Sequence, residues 1–277
     1  MNLSLILQMA ADSAGDRTGL VAGNVALDYA TLRGHAVALA DRLRGTGPGS
    51  VVYLAENSAA APIALFGAAL AGRAYVPVNY RLTDGEIATL LDRAGAALVI
   101  SDRDLPGRAV VSPASLLAAS ADAAAEAPDD PGAIAVELFT SGTTGEPKAA
   151  LLRHANLMAY ILGTVEFLGA GEEEAALVAV PPYHIAGIMA VLSSVYAGRR
   201  MVQLPAFSPE AWLDAAARHA VTSAFLVPTM LQRIVDHLDD HPHKAALPAL
   251  RAIAYGGGRM PVETISRAVA IWPDVAF

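Results

Sequence analysis

The chain has 277 residues, 54% of them hydrophobic, and a net charge of −8, which suffices for two packed α/β lobes or one large unit. It holds no cysteine, which excludes a thiolate nucleophile, a disulfide framework and a thiolate zinc site. The acidic balance and the absence of a Lys/Arg run argue against a nucleic-acid surface built on phosphate neutralisation.

The N-terminal segment MNLSLILQMAADS has neither a basic leader region nor a cleavage site, so no export signal is read and a cytoplasmic location is expected. From Asp28 the apolar positions Tyr29, Leu32, Ala36, Leu39 and Leu43 recur at helical spacing, and this helix closes in the glycine-rich turn over 45–49. A buried strand follows over 51–55. The most apolar stretch, 58–72, contains Pro62 and falls short of the roughly 20 residues a bilayer helix needs, so it predicts a buried core helix over about 59–70 and no membrane span. A strand over 74–78 comes next, then a helix opened by a capping box of Thr83 and Glu86, then a strand over 97–100. Short apolar strands alternating with amphipathic helices predict parallel pairing, because parallel neighbours need a crossover that a helix supplies. The expected fold class is therefore α/β.

Residues 116–132 are rich in Ala, Ser, Asp and Pro without strand signal, which places a lobe boundary there, with lobes of about 1–120 and 132–277. Beyond it, strands over 133–140 and 149–153 flank a Gly/Thr/Ser turn, and a helix covers about 156–168. Further strands are expected at 175–180, 200–203, 222–227 and 251–255. Ser208, Pro209 and Glu210 form a helix start, with Ser as N-cap, Pro at the first position and an acid in the first turn.

The chemistry concentrates in residues 139–148, FTSGTTGEPK. This is not a Walker A loop, which needs four residues between its glycines and a Gly-Lys-Ser/Thr ending. Here two residues separate Gly142 from Gly145, and Pro147 precedes the lysine. The glycines let backbone N–H groups converge on an anion, Thr140, Ser141, Thr143 and Thr144 add hydroxyl donors, and Lys148 adds a point charge. That set suits a polyphosphate. The chain has one other lysine, Lys244. His184, in the segment PPYHIAG, and the run Gly256, Gly257 and Gly258 after an expected strand are the remaining candidates. By itself such a histidine also reads as a packed side chain, and such a glycine run as a bare turn. His241-Pro242-His243 lacks a third ligand nearby and Glu172 to Glu174 is a short acidic run at a turn, so neither receives a role, and no metal site is expected.

The 139–148 segment resembles the signature loop of the acyl-CoA synthetase, adenylation-domain and luciferase superfamily of AMP-forming enzymes. Gly72-Arg73-Ala74-Tyr75-Val76-Pro77-Val78-Asn79 with Arg81-Leu82-Thr83 is similar to that family's second core segment, and Pro181-Pro182-Tyr183-His184-Ile185-Ala186-Gly187 to its fourth. Val227-Pro228-Thr229-Met230 and Gly256 to Gly258 follow in family order, so the resemblance covers nearly the whole chain.

The resemblance implies a large N-terminal region of two mixed, helix-flanked sheets with a small barrel, then a mobile C-terminal domain. It implies attack of a substrate carboxylate on Mg2+-bound ATP, loss of pyrophosphate, and transfer of the acyl group from the adenylate to the thiol of coenzyme A or a carrier pantetheine. No enzyme nucleophile is needed, in keeping with the missing cysteine. Thr140, Ser141, Gly142, Thr143, Thr144, Gly145 and Lys148 are then expected at the β- and γ-phosphates, and Gly256, Gly257 and Gly258 near the adenine and acyl group. His184 and Lys148 are expected to be catalytic, and His184, Ile185, Ala186, Gly187 and Val227 to contact the acid. The resemblance also places the Tyr-Gly-x-Thr-Glu segment, whose Glu serves magnesium, together with the ribose-binding Asp and the C-terminal domain, after Phe277. The covered chain is therefore expected to depend on a C-terminal domain or a downstream subunit. Three readings stay open: an acid–CoA ligase, a module loading a carrier protein, and a nucleotide-binding half without turnover. Amino-acid-activating versions usually carry an Asp near the start of the fourth segment, and PPYHIAG has none.

Overall fold

The computed structural model describes residues 1–121, 126–140 and 148–277, and of Thr140 the backbone alone. In chain order the described elements are α1 (Ser4–Ala14), β1 (Thr18–Ala22), β2 (Val25–Asp28), α2 (Tyr29–Arg44), β3 (Ser50–Tyr53), α3 (Ala60–Leu70), β4 (Tyr75–Pro77) and α4 (Asp84–Arg93). β5 (Ala96–Ile100), β6 (Val110–Val111), β7 (Ile134–Thr140), β8 (Lys148–Arg153), α5 (His154–Thr164) and β9 (Ala175–Val178) follow. The last are α6 (Ile185–Ala197), β10 (Arg200–Gln203), α7 (Pro209–Arg218), β11 (Ser223–Leu226), α8 (Pro228–Asp240), β12 (Ala252–Tyr255) and α9 (Val262–Ile271).

Local chemistry explains many of these boundaries. Asp28 caps α2 by accepting from the Thr31 N–H, and Ser208 caps α7 by accepting from the Ala211 N–H with Pro209 in the first turn. The expected capping box at α4 is present in both directions between Thr83 and Glu86. Every residue of α3 is buried, as its all-round apolar sequence requires. The helix expected over 156–168 begins earlier, at His154, where the Arg153 N–H donates to Asn156 Oδ1 at 3.1 Å, and it ends earlier, at Thr164.

Two six-stranded sheets result, ordered β12-β11-β9-β10-β1-β2 and β6-β5-β3-β4-β7-β8. Pairing is parallel, as expected, except for β1–β2 and β7–β8, whose connections are too short for a crossover. The sheets do not divide at residues 116–132. β1 and β2 join the later strands, while β7 and β8, beyond that segment, complete the earlier sheet. Sheet membership depends on long-range hydrogen bonding and burial, which a local drop in strand-forming composition does not report.

Alternation along the strands sorts the side chains into layers. Val51 and Tyr53 of β3, with Val178 of β9 and Met201 of β10, enter the main core, where α1, α2, α3, α5 and α6 lie between the sheets. Val52 and Val76 face the other way, onto α4, and Leu177 and Val202 face α7, α8 and α9. Among the described residues no helix is long and apolar enough to cross a membrane.

Candidate active site

Strands β12, β11 and β9 are adjacent and parallel, so the segments leaving their carboxyl ends stand side by side. Those segments are 256–258 after β12, Val227-Pro228 after β11 and the turn 179–184 after β9. Crevices at the carboxyl ends of parallel strands are where α/β sheets hold ligands. The geometry is tight: the Gly256 N–H donates to the Leu226 carbonyl at 3.3 Å, and Gly257 sits at φ +78°. A Cβ on Gly256 would lie 3.2 Å from the Phe225 ring, and one on Gly257 3.4 Å from Val227. The glycine run therefore lies over Phe225 and Val227, and a side chain at Gly256 would press on the Phe225 ring.

His184 occupies the N-cap position of α6 in extended conformation (φ −105°, ψ 142°), and its side chain makes no capping bond. Its ring lies 4.6 Å from that of Tyr183, which meets Tyr80 edge-on at 5.6 Å. Although solvent reaches the imidazole, burial of part of it by neighbouring atoms lowers its pKa below the usual histidine value. His184 is thus neutral near pH 7 and can donate one N–H and accept at the other nitrogen. Gly187 is buried, with Val180 and Pro181 carbonyls so close that a Cβ would lie 3.2 and 3.0 Å from them. Only glycine lets α6 start this near the turn.

A cleft of about 670 Å3 opens between α6 and the later sheet, lined among others by Ile185, Ala186, Met189, Ala190, Phe225 and Ala254. Of the residues expected to contact the acid, Ile185 and Ala186 line it. Gly187 instead borders a separate small cavity with Asn57, Pro182 and Gln203. Val227 starts α8 beneath the glycine run. Met189, Ala190 and Ala254 also line the cleft and were not among the expected residues; small residues at positions 186 and 190, one turn apart on α6, were the available signal.

In the other sheet, β7 ends at Thr140 and β8 begins at Lys148, and these two are register partners in an antiparallel pair. The phosphate-loop expectation at Ser141, Gly142, Thr143, Thr144 and Gly145 lies outside the described residues. Lys148 is exposed at the start of its strand. Thr140 ends β7 beside β4, whose exit carries Tyr80 to Tyr183, so both sheets present their carboxyl ends to one region.

The residues given no role have structural partners. Lys244 donates to Asp214 at 2.8 Å and lies 3.6 Å from Glu210. His241 packs face to face on His237, with ring centroids 4.2 Å apart. Among the described residues no group of three or more His, Cys, Asp or Glu could hold a metal ion. Glu172 and Glu173 are exposed as expected, but Glu174 is drawn inward by Arg199, whose Nε donates to it at 3.1 Å.

Two mixed, helix-flanked sheets that present their carboxyl ends to one region are the architecture of the N-terminal domain of adenylate-forming enzymes. The chain belongs to the AMP-binding enzyme family, whose model matches residues 7–276. It is 34% identical over 257 residues to a feruloyl-CoA synthase of Amycolatopsis sp, covering 88% of this chain and 52% of that protein. It is 32% identical over 263 residues to pyochelin synthetase PchF of Pseudomonas aeruginosa, covering 90% of this chain and 14% of that protein. The inhibitor-bound N-terminal domain of FACL13 from Mycobacterium tuberculosis superposes with a TM-score of 0.82 at 25% identity, covering 97% of this chain and 73% of that one. The chain thus spans about half the length of the feruloyl-CoA synthase it matches.

Proposed function

We propose that this chain is the nucleotide- and acid-binding part of an AMP-forming ligase that activates a carboxylic acid with ATP and passes the acyl group to coenzyme A. The observation that carries this reading is the convergence of the His184 turn, Val227 and the glycine run at the ends of three neighbouring parallel strands. Gly256 to Gly258 would floor the adenine. Thr140 and Lys148, with residues 141–145 between them, would hold the phosphate tail, the Lys148 ammonium offsetting its charge. Magnesium would enter with ATP, and no residue of this chain is assigned to it. His184, neutral at pH 7, can hydrogen-bond a carboxylate or thioester oxygen at the crevice without adding charge. The cleft beside Ile185 and Ala186 has an apolar part, with Met189, Ala190, Phe225 and Ala254, which suits an uncharged acyl or aryl body, and its lining also carries Tyr160, Glu166 and Arg199.

Transfer to a carrier-protein pantetheine is the second reading, favoured by the likeness to pyochelin synthetase PchF. PPYHIAG offers no carboxylate for an α-amino group, so an aryl or fatty acid fits this version better.

ATP–pyrophosphate exchange across aryl, fatty and amino acids tests the reading, together with ATP affinity measured by calorimetry. Exchange with one acid class is expected when the polypeptide encoded downstream is added to this chain, and Lys148→Ala should weaken ATP binding by roughly tenfold or more, the worth of a charge-assisted hydrogen bond. No exchange with any acid, together with unchanged ATP affinity in Lys148→Ala, would overturn it.

A further inference from the structure

The turn that carries His184 leaves β9 through Val180, whose carbonyl lies beyond the sheet ladder. Its partner comes from the opposite sheet. Asn57, in the connection between β3 and α3, is 3% exposed, and its Nδ2 donates to the Val180 carbonyl at 3.0 Å and to the Leu204 carbonyl at 3.2 Å. One planar amide therefore ties together the exits of β9 and β10. The Val180 carbonyl is also one of the two, with that of Pro181, against which Gly187 packs, and the His184 N–H donates to the Pro181 carbonyl at 3.1 Å. Any shift of Val180 is thus passed to the whole turn. A second tie from the same sheet reaches the same place, through the Tyr80 ring against Tyr183 and the Tyr183 ring against His184.

We propose that Asn57 is a positioning residue that sets the His184 turn in register with the carboxyl end of the opposite sheet, where Lys148 begins β8. The role given to His184 rests on the proposed function; the positioning does not. Asparagine suits the task because its short side chain carries two N–H donors on one nitrogen, whereas an ionised Asp of the same shape carries none. At this depth no solvent replaces a lost donor, so removal leaves two carbonyls unpaired. A plain loop clamp would cost stability alone. A positioning residue must also move the imidazole.

The test is carried out on the 277-residue chain. The ring carbon–proton resonances of His184 are followed by NMR in the parent, Asn57→Ala and Asn57→Ser, with His184→Gln providing the assignment. The ionisable and charged groups stacked towards His184, namely Tyr183, Tyr80 and Arg81, are left unchanged. In Asn57→Ala the His184 resonance should shift and its titration midpoint rise towards the ordinary value near 6.5, as the ring becomes more hydrated, while the distant His35 resonance stays in place. Affinity for a non-hydrolysable aryl-adenylate sulfamate should fall by roughly tenfold, about one hydrogen bond's worth of register, and affinity for AMP alone should fall less. Asn57→Ser, which keeps one shorter donor, should give an intermediate shift and serves if Asn57→Ala does not fold. An unmoved His184 resonance and midpoint in a folded variant of lower melting temperature overturns the proposal. If the parent binds neither AMP nor the sulfamate, the proposed function fails, and the His184 spectra still decide the positioning.

Discussion

His154, 1% exposed, accepts the Leu3 N–H on its Nδ1 at 3.1 Å. Burial, then the charge of the N-terminus, lower its pKa, while Asp130 acts weakly the other way. Protonation would put a second donor against the Leu3 N–H. The unfolded chain therefore binds this proton first, so stability is full above about pH 6.5 and falls as pH drops from there towards the folded value. His184 and His219, also lowered chiefly by burial, add to the slope over the same window. Urea titrations from pH 7.5 to 5 should show stability declining with pH, and His154→Asn, which keeps an acceptor, should decline less steeply. A second residue-scale expectation concerns Gly187, where a methyl group would press on two carbonyls. Gly187→Ala should cost ~1–3 kcal/mol by overpacking and weaken acid binding, read by denaturation and by exchange with the preferred acid. Neither effect was legible in the sequence. His154 carried no motif, and Gly187 stood out through its place in the fourth core segment, with no sign of which atoms crowd it.

At the scale of elements the sequence was far more informative. The caps at Thr83 and Ser208, the buried helix α3 and the strand alternation all follow from contacts within a few residues, and they stand where expected. Ser208→Ala should therefore lower stability by about 1 kcal/mol in urea titrations, the usual worth of an N-cap, without altering nucleotide affinity. The lining of the cleft was legible only in part. Ile185 and Ala186, which line it, belong to a recognisable segment, whereas Met189, Ala190 and Ala254 line it only because α6 lies across the later sheet. Asn57 was invisible because its importance lies in carbonyls 123 and 147 positions away.

Over the whole molecule, long-range ties join segments that the composition had assigned to different lobes. Tyr29 is fully buried at the start of α2, and its hydroxyl donates to the Arg199 carbonyl at 2.8 Å, 170 positions along the chain. Burial raises the phenol far above its ordinary pKa, so it remains a donor. Tyr29→Phe should destabilise the chain by ~1–3 kcal/mol, because the carbonyl is left buried without its donor; a melting profile unchanged from the parent would show that water or another group replaces it. The same long reach explains the sheets. What the amino-acid sequence determined alone is the α/β class, the caps and helices, and the motif segments that mark the family, since each depends on residue types at short spacing. Only the tertiary structure decided that β1 and β2 cross to the later sheet, that β7 and β8 cross to the earlier one, and that Asn57 and Tyr80 meet the His184 turn. Those outcomes rest on backbone hydrogen bonds and side-chain burial between distant positions, and no local pattern encodes which distant partner will satisfy them.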